Sequence, residues 1–430
     1  MKKIAYPQFK ETLFRTKLDN GLTVNLLPRT GFHKNYAILT INYGAIDTVY
    51  HDQQGKEHAI PAGTAHFLEH KLFEKEDHDA FDIFGDYGAD ANAFTSFTKT
   101  SFMFSTTSDL KKCLNVLLDF VQEPYFSEQT VEKEKGIIGE EISMYDDDVD
   151  WQLFFGMLRN LYPQDPLNTD IAGTKETIAQ INAQTLYDVY REFYRPENMD
   201  LFVVGGFDPA EVLETIASNQ AGKEQHNSPQ PPVQNNFLAA SGSKIERLTS
   251  KKMNVTRPKS MVGVKGLQPV SPGKAGLKYK LSLELGLYLL FGESSQLFQE
   301  LYQAGIVDDS FSYELEIERG YHFAVVSADT AHYQEMEQAV VKTFKHAADL
   351  LQNAVKQLAL AKKEYLGQYI QAQNSLESIA NSYEGNLFGQ TTVLDQAALI
   401  QEISLADVLA AISQLCDPQV LSIYRILPEG

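Results

Sequence analysis

Two histidines and a glutamate stand together at His66-Phe67-Leu68-Glu69-His70, inside the run GTAHFLEHKLF. No proline follows Pro61 in that run and its spacing suits a helix, so His66 and His70, four residues apart, share one helical face. Two imidazoles placed that way can grip one metal ion. Glu69 projects roughly 60° from His66 and roughly 100° from His70, which brings its carboxylate within reach of a water held there. Metal-assisted hydrolysis is the chemistry such a set performs. The pattern would arise by chance in roughly 0.015 of chains of this composition, so it outweighs the bland alternative of two half-exposed histidines beside a solvated glutamate. Its order is the inverse of HExxH.

A catalytic zinc takes three protein ligands and keeps one position open, so a third ligand must arrive from elsewhere in the chain. The stretch VEKEKGIIGEEISMYDDD offers Glu134 and Glu141, seven residues apart and within about 20° of one helical face. Glu140 points about 120° away from Glu134. Either Glu134 or Glu141 therefore suits the pentad better than Glu140. Asp146, Asp147 and Asp148 lack the glycine and later glutamate of a calcium loop and read as a solvated helix end.

These residues need a scaffold. Strand signals appear around Asn20-Gly21, with LTVNLL after the turn, at Tyr36 to Tyr43 and at Met199 to Val204. Helical spacing runs through Leu110, Leu114, Leu117, Leu118 and Val121, and a second helix is expected from about Glu128 to Met144. The stretch Asn219 to Asn236, rich in proline and amides, reads as a linker, dividing the chain into domains 1–218 and 237–430 around residues 219–236. The second half repeats the outline: strands near Val262 to Val264, Phe323 to Ser327 and Leu421 to Leu427, and helical stretches at about Leu277 to Tyr302 and His332 to Tyr383. Each half reads as helices on a mostly antiparallel sheet, an α+β class, and their similar length and element order suggest a repeat.

With 430 residues, 43% of them hydrophobic and 22% charged, the chain has ample material for two cores. Thirty-seven Lys and Arg against fifty-seven Asp and Glu give a net charge of −20, which repels phosphate backbones and argues against nucleic acid as a partner. Cys113 and Cys416 are the only cysteines, too few for a disulfide framework, and both read as packing residues. No run approaches the ~20 apolar residues of a membrane span, and the N-terminus lacks the apolar stretch of a signal peptide, so the expected address is cytoplasmic.

The pentad, the segment EKEKGIIGEEISM and the segment GADANAFTSFTKTSF together resemble the pitrilysin, insulin-degrading enzyme and mitochondrial processing peptidase family of inverted zinc metallopeptidases, and the likeness spans most of the chain. The resemblance implies one zinc per chain held by His66, His70 and Glu141, with Glu69 as general base on a zinc-bound water and Glu134 supporting the site. It implies that Asn92, Ala93 and Phe94 form a strand edge that pairs with an extended peptide, and that the two related halves form a clamshell admitting oligopeptides or unfolded precursor segments. Members of the family often carry an arginine, and seven residues later a tyrosine, in the second half. Tyr302 and Asp309 stand at those positions here, with Tyr313 nearby as a candidate oxyanion donor. The missing pair points to a heterodimer with a related subunit that lacks the zinc motif, a homodimer being the other pairing the resemblance allows. A noncatalytic binding or scaffolding subunit is the alternative from a different class, and a zinc hydrolase of nonpeptide substrates would share every ligand.

Overall fold

The computed structural model describes residues 1–51, 55–223, 244–383, 387–389, 391 and 393–429. Its first compact unit is built on a seven-stranded sheet. In chain order the strands are β1 (Lys2–Tyr6), β2 (Glu11–Lys17), β3 (Thr23–Pro28), β4 (Asn35–Ile41), a separate ribbon of β5 (Val49–His51) and β6 (Glu57–Ala59), then β7 (Ala89–Thr95), β8 (Thr100–Thr106) and β9 (Met199–Gly205). Their order across the sheet is β1-β2-β3-β9-β4-β8-β7. The β2–β3 hairpin turns at Asn20-Gly21, where Gly21 takes a φ of 94° that a side chain would resist. Every residue of β9 is buried, as expected of a strand flanked on both edges and covered on both faces. Among the described residues β7 pairs only with β8, so it is an edge strand.

Four helices complete the part of this unit that matters for the chemistry: α1 (Thr64–Phe73), α2 (Ala80–Asp86), α3 (Leu110–Gln122) and α4 (Glu128–Asp147). The stripe Leu110, Leu114, Leu117, Leu118 and Val121 on α3 is buried, and Cys113 is buried with it. Burial pushes the Cys113 thiol above its ordinary pKa, which suits packing and not nucleophilic work. The helix Pro209–Ala221 runs three residues into the stretch expected to be a linker. Asn219 bonds Asp119 at 2.7 Å and Gln220 is buried, and these contacts hold the last turn. The rest of that stretch, from residue 224, lies outside the described residues.

The second unit holds β10 (Leu248–Met253), β11 (Lys259–Lys265), β12 (Ser312–Glu318), β13 (Tyr321–Asp329) and β14 (Leu421–Pro428), ordered β10-β14-β11-β13-β12. Its first and last strands pair in parallel and the remaining pairs are antiparallel. The run β3-β9-β4-β8-β7 has the same sequence of directions. The chain is thus an α+β protein of two related half-domains. The long helical stretch expected at Leu277 to Tyr302 is two helices, Gly273–Phe291 and Gln296–Gln303, because Ser295 starts a new helix by accepting from the Phe298 N–H at 3.1 Å.

Neither unit is one continuous half of the chain. Ser143–Thr169 belongs to the second unit, and Ala372–Tyr383 belongs to the first. The helix α5 (Val149–Leu161) packs on β11 and β14, and two glycines permit the close approach. A Cβ on Gly156 would fall 2.1 Å from the Tyr424 ring, and one on Gly263 would fall 2.7 Å from the Met157 sulfur. In exchange, the helix Leu376–Asn381 packs on β4 and β9, with the Tyr383 ring 4.8 Å from that of Phe202.

Candidate metal centre

Gly63 precedes α1 with a φ of 93°, and a Cβ there would fall 2.5 Å from the Ala172 carbonyl oxygen. Gly173, at a φ of 77°, faces the Ala62 carbonyl at 2.4 Å in the same sense. Two backbones therefore cross with no side chain between them, and Thr64 Oγ1 adds a 2.6 Å bond to the Pro61 carbonyl. From that pinned start α1 buries Ala65, Phe67, Leu68, Leu72 and Phe73, which leaves His66, Glu69 and His70 on its less buried side. On α4, Val131, Glu134, Ile138 and Ile142 are buried and Glu141 is half-buried.

The three residues expected to hold a metal converge. Ligand atoms of His66, His70 and Glu141 all lie within 4.8 Å of one another. His66 Nε2 is 3.6 Å from Glu141 Oε1 and His70 Nε2 is 3.8 Å from Glu141 Oε2, with the ring centroids 4.5 Å apart. Those separations are too long for hydrogen bonds. Two ligands about 2.1 Å from a tetrahedral centre stand about 3.4 Å apart, so the set fits a zinc ion. Glu134 sits one step back, its Oε1 3.0 Å from His70 Nδ1, which turns His70 Nε2 toward Glu141.

Burial, reinforced by the neighbouring His70, brings the His66 pKa down to about 4, against the pull of Glu141 and Glu134. His66 is therefore neutral at pH 7 and offers the lone pair a metal needs. For His70 burial also acts downward, but the bond to Glu134 and the charges of Glu69 and Glu141 carry its pKa above the ordinary value. Burial lifts Glu69, with the bond from Thr95 opposing it. Glu134 is lifted by burial and brought below its ordinary value by His70 and the nearby Lys71 and Lys133.

The segment Asn92-Ala93-Phe94 lies in β7, and α1 packs beside that strand. The Ala93 N–H is taken by the Asn92 side chain, Oδ1 to N 2.9 Å. The last residue of β7 was not foreseen: Thr95 Oγ1 donates to Glu69 Oε2 at 2.6 Å. Strand parity with Ala93 is the one sequence signal that pointed to it. Tyr302, Asp309 and Tyr313 all lie in the second unit. Tyr302 is exposed with its ring 5.4 Å from Phe298, Asp309 is exposed, and Tyr313 in β12 has its hydroxyl bonded to that of Tyr365.

Residues 55–175, which contain the pentad and both α4 glutamates, match the family described as Insulinase (Peptidase family M16), and residues 180–362 match the Peptidase M16 inactive domain. The chain is 41% identical over 431 residues to the uncharacterized zinc protease YmfH of Bacillus subtilis (strain 168), with 100% of both chains covered. It is 25% identical over 367 residues to the uncharacterized zinc protease YmxG of the same organism, covering 81% of this chain and 84% of that one. A crystal structure described as an M16-like peptidase from Alicyclobacillus acidocaldarius superposes with a TM-score of 0.90 at 28% identity, covering 97% of this chain and 99% of that one. A protease from Helicobacter pylori shares the fold at a TM-score of 0.79 and 18% identity, with 97% and 99% covered. A match this long and this close along the whole chain, together with the two M16 domain matches, means that the chain belongs to the insulinase family of zinc peptidases, family M16.

Proposed function

We propose that this chain is a zinc endopeptidase that hydrolyses peptide bonds in oligopeptides or unfolded precursor segments. The observation that carries the reading is the convergence of His66, His70 and Glu141 within 4.8 Å, with Glu69 between the two histidines in sequence on the same helix. In this reading His66, His70 and Glu141 hold the ion and Glu134 fixes the His70 ring. A zinc ion held there supplies Lewis acidity toward a water molecule and a scissile carbonyl. Glu69, raised by burial toward the range of a useful base, takes the proton from the attacking water and delivers it to the leaving amine. The open edge of β7 receives the substrate backbone as an added strand, and the incoming carbonyl replaces the Asn92 side chain on the Ala93 N–H.

Glu69→Gln keeps the zinc ligands and removes the base. The variant is expected to bind one zinc per chain while losing roughly 10² to 10⁴ in peptide cleavage rate, measured by metal analysis and a quenched-fluorescence peptide assay. Cleavage at the wild-type rate would end the proposal. The absence of the arginine and tyrosine pair, with Tyr302 and Asp309 in its place, supports a catalytic subunit that works with a related partner lacking the zinc motif. Full turnover by the isolated monomer would count against that pairing. Because residues 180–362 match a domain described as inactive, a noncatalytic scaffolding role is the second reading. A zinc content near zero in the purified protein would favour it.

A further inference from the structure

We infer that Thr95 is a positioning residue for the general base, holding the Glu69 carboxylate so that a single defined oxygen performs the proton transfer. The inference rests on the peptidase reading and adds a residue to it. Thr95 Oγ1 donates to Glu69 Oε2 at 2.6 Å, a short bond of the charge-assisted kind. A hydroxyl proton committed to Oε2 leaves Oε1 with its lone pairs open, so Oε1 is the oxygen that accepts the proton from water.

A glutamate side chain left alone samples several staggered arrangements, and only some bring its carboxylate toward the metal ligands. Thr95 removes that freedom because it is itself fixed. It pairs with Thr100 across the β7–β8 hairpin, Thr100 Oγ1 donates to the Tyr43 carbonyl at 3.0 Å, and the Ser96 N–H closes the turn on the Lys99 carbonyl at 2.8 Å. A β-branched side chain on such a backbone has few rotamers to choose from. The anchor also belongs to the strand on which a peptide is expected to dock. Base and substrate are thereby referenced to the same piece of backbone, two residues apart along β7.

The test compares Thr95→Val, which keeps the shape and loses the donor, with Thr95→Ser, which keeps the donor. Thr95→Val is expected to lower kcat roughly ten- to a hundredfold with KM and zinc content within twofold of wild type, and Thr95→Ser is expected to retain at least about half of kcat. Crystal structures of the three proteins supply a readout apart from turnover: Glu69 in one position in wild type and Thr95→Ser, and displaced in Thr95→Val. A Thr95→Val enzyme with wild-type kcat, a Thr95→Ser enzyme as slow as Thr95→Val, or an unmoved Glu69 in the valine crystal would each overturn the inference. If the wild-type protein cleaves no peptide, the peptidase reading falls by itself, and the Glu69 position in the valine crystal still decides whether Thr95 is the anchor.

Discussion

Glu134 and Glu141 are the same amino acid on the same helix, two turns apart, and their surroundings give them different work. Glu141 stands 3.6 and 3.8 Å from the two imidazoles, while Glu134 is bonded to the far nitrogen of His70 at 3.0 Å. Glu141→Gln should therefore abolish tight zinc binding, whereas Glu134→Gln should weaken it roughly 10- to 100-fold with the stoichiometry kept, as measured by competition with a chromogenic chelator. Equal losses in the two variants would contradict the difference in geometry. The seven-residue spacing already put both carboxylates on one face, but which of them meets the imidazoles depends on where α4 lies along α1. That relation is tertiary, and no local pattern encodes it. The HxxEH pentad was legible because both histidines sit on one turn, where helix geometry alone fixes their relation. Thr95 was not, since a threonine near the end of a strand is commonplace and its partner lies 26 positions away.

At the level of elements, α1 is held by the crossing of Gly63 over Gly173. Gly63→Ala forces a side chain into a left-handed backbone and against a carbonyl 2.5 Å away, so it should cost about 1–3 kcal/mol of stability in urea unfolding and weaken zinc binding in parallel. Gly136, an exposed glycine inside α4 with nothing within 4 Å of a built Cβ, is the control. Gly136→Ala should stabilise the protein by about 0.5–1 kcal/mol. Indifference at Gly63 would show that the backbone crossing does not govern α1, and a loss at Gly136 would contradict the open space around that glycine. The apolar stripe of α3 and the β2–β3 turn could be read from periodicity and turn chemistry. The break between Phe291 and Gln296 was passed over because apolar residues resume at Leu297; Gly292 turns the backbone extended and Ser295 caps the helix that follows.

For the molecule as a whole, the buried Asp200 makes stability depend on pH. Burial raises its pKa to about 7, with Arg15 and the bonds to Tyr383 and Asn25 pulling the other way. The unfolded carboxyl titrates near 3.8, so above about pH 4 the folded state holds the extra proton and stability falls as pH rises, levelling off once the buried group has ionised above about pH 8. The full loss is about 4 kcal/mol, and Asp200→Asn should remove it: the variant gains on wild type between about pH 4.5 and pH 8 in urea unfolding. A constant difference across that range would mean the carboxyl is ionised throughout. Asp200 also bonds Asn25 at 2.6 Å, and Tyr383 lies 3.5 Å away at the end of the exchanged segment Ala372–Tyr383. That exchange escaped the sequence because no feature of a helix says which of two similar sheets it will cover, and a linker with balanced halves suggests continuous domains. It also sets a timetable for synthesis. The strands and helices that carry His66, His70 and Glu141 leave the ribosome early, yet the piece that covers β4 and β9 ends at Tyr383 of a 430-residue chain. A nascent polypeptide therefore holds β4 and β9 without that cover until Tyr383 has been added, long after Glu141 has been made.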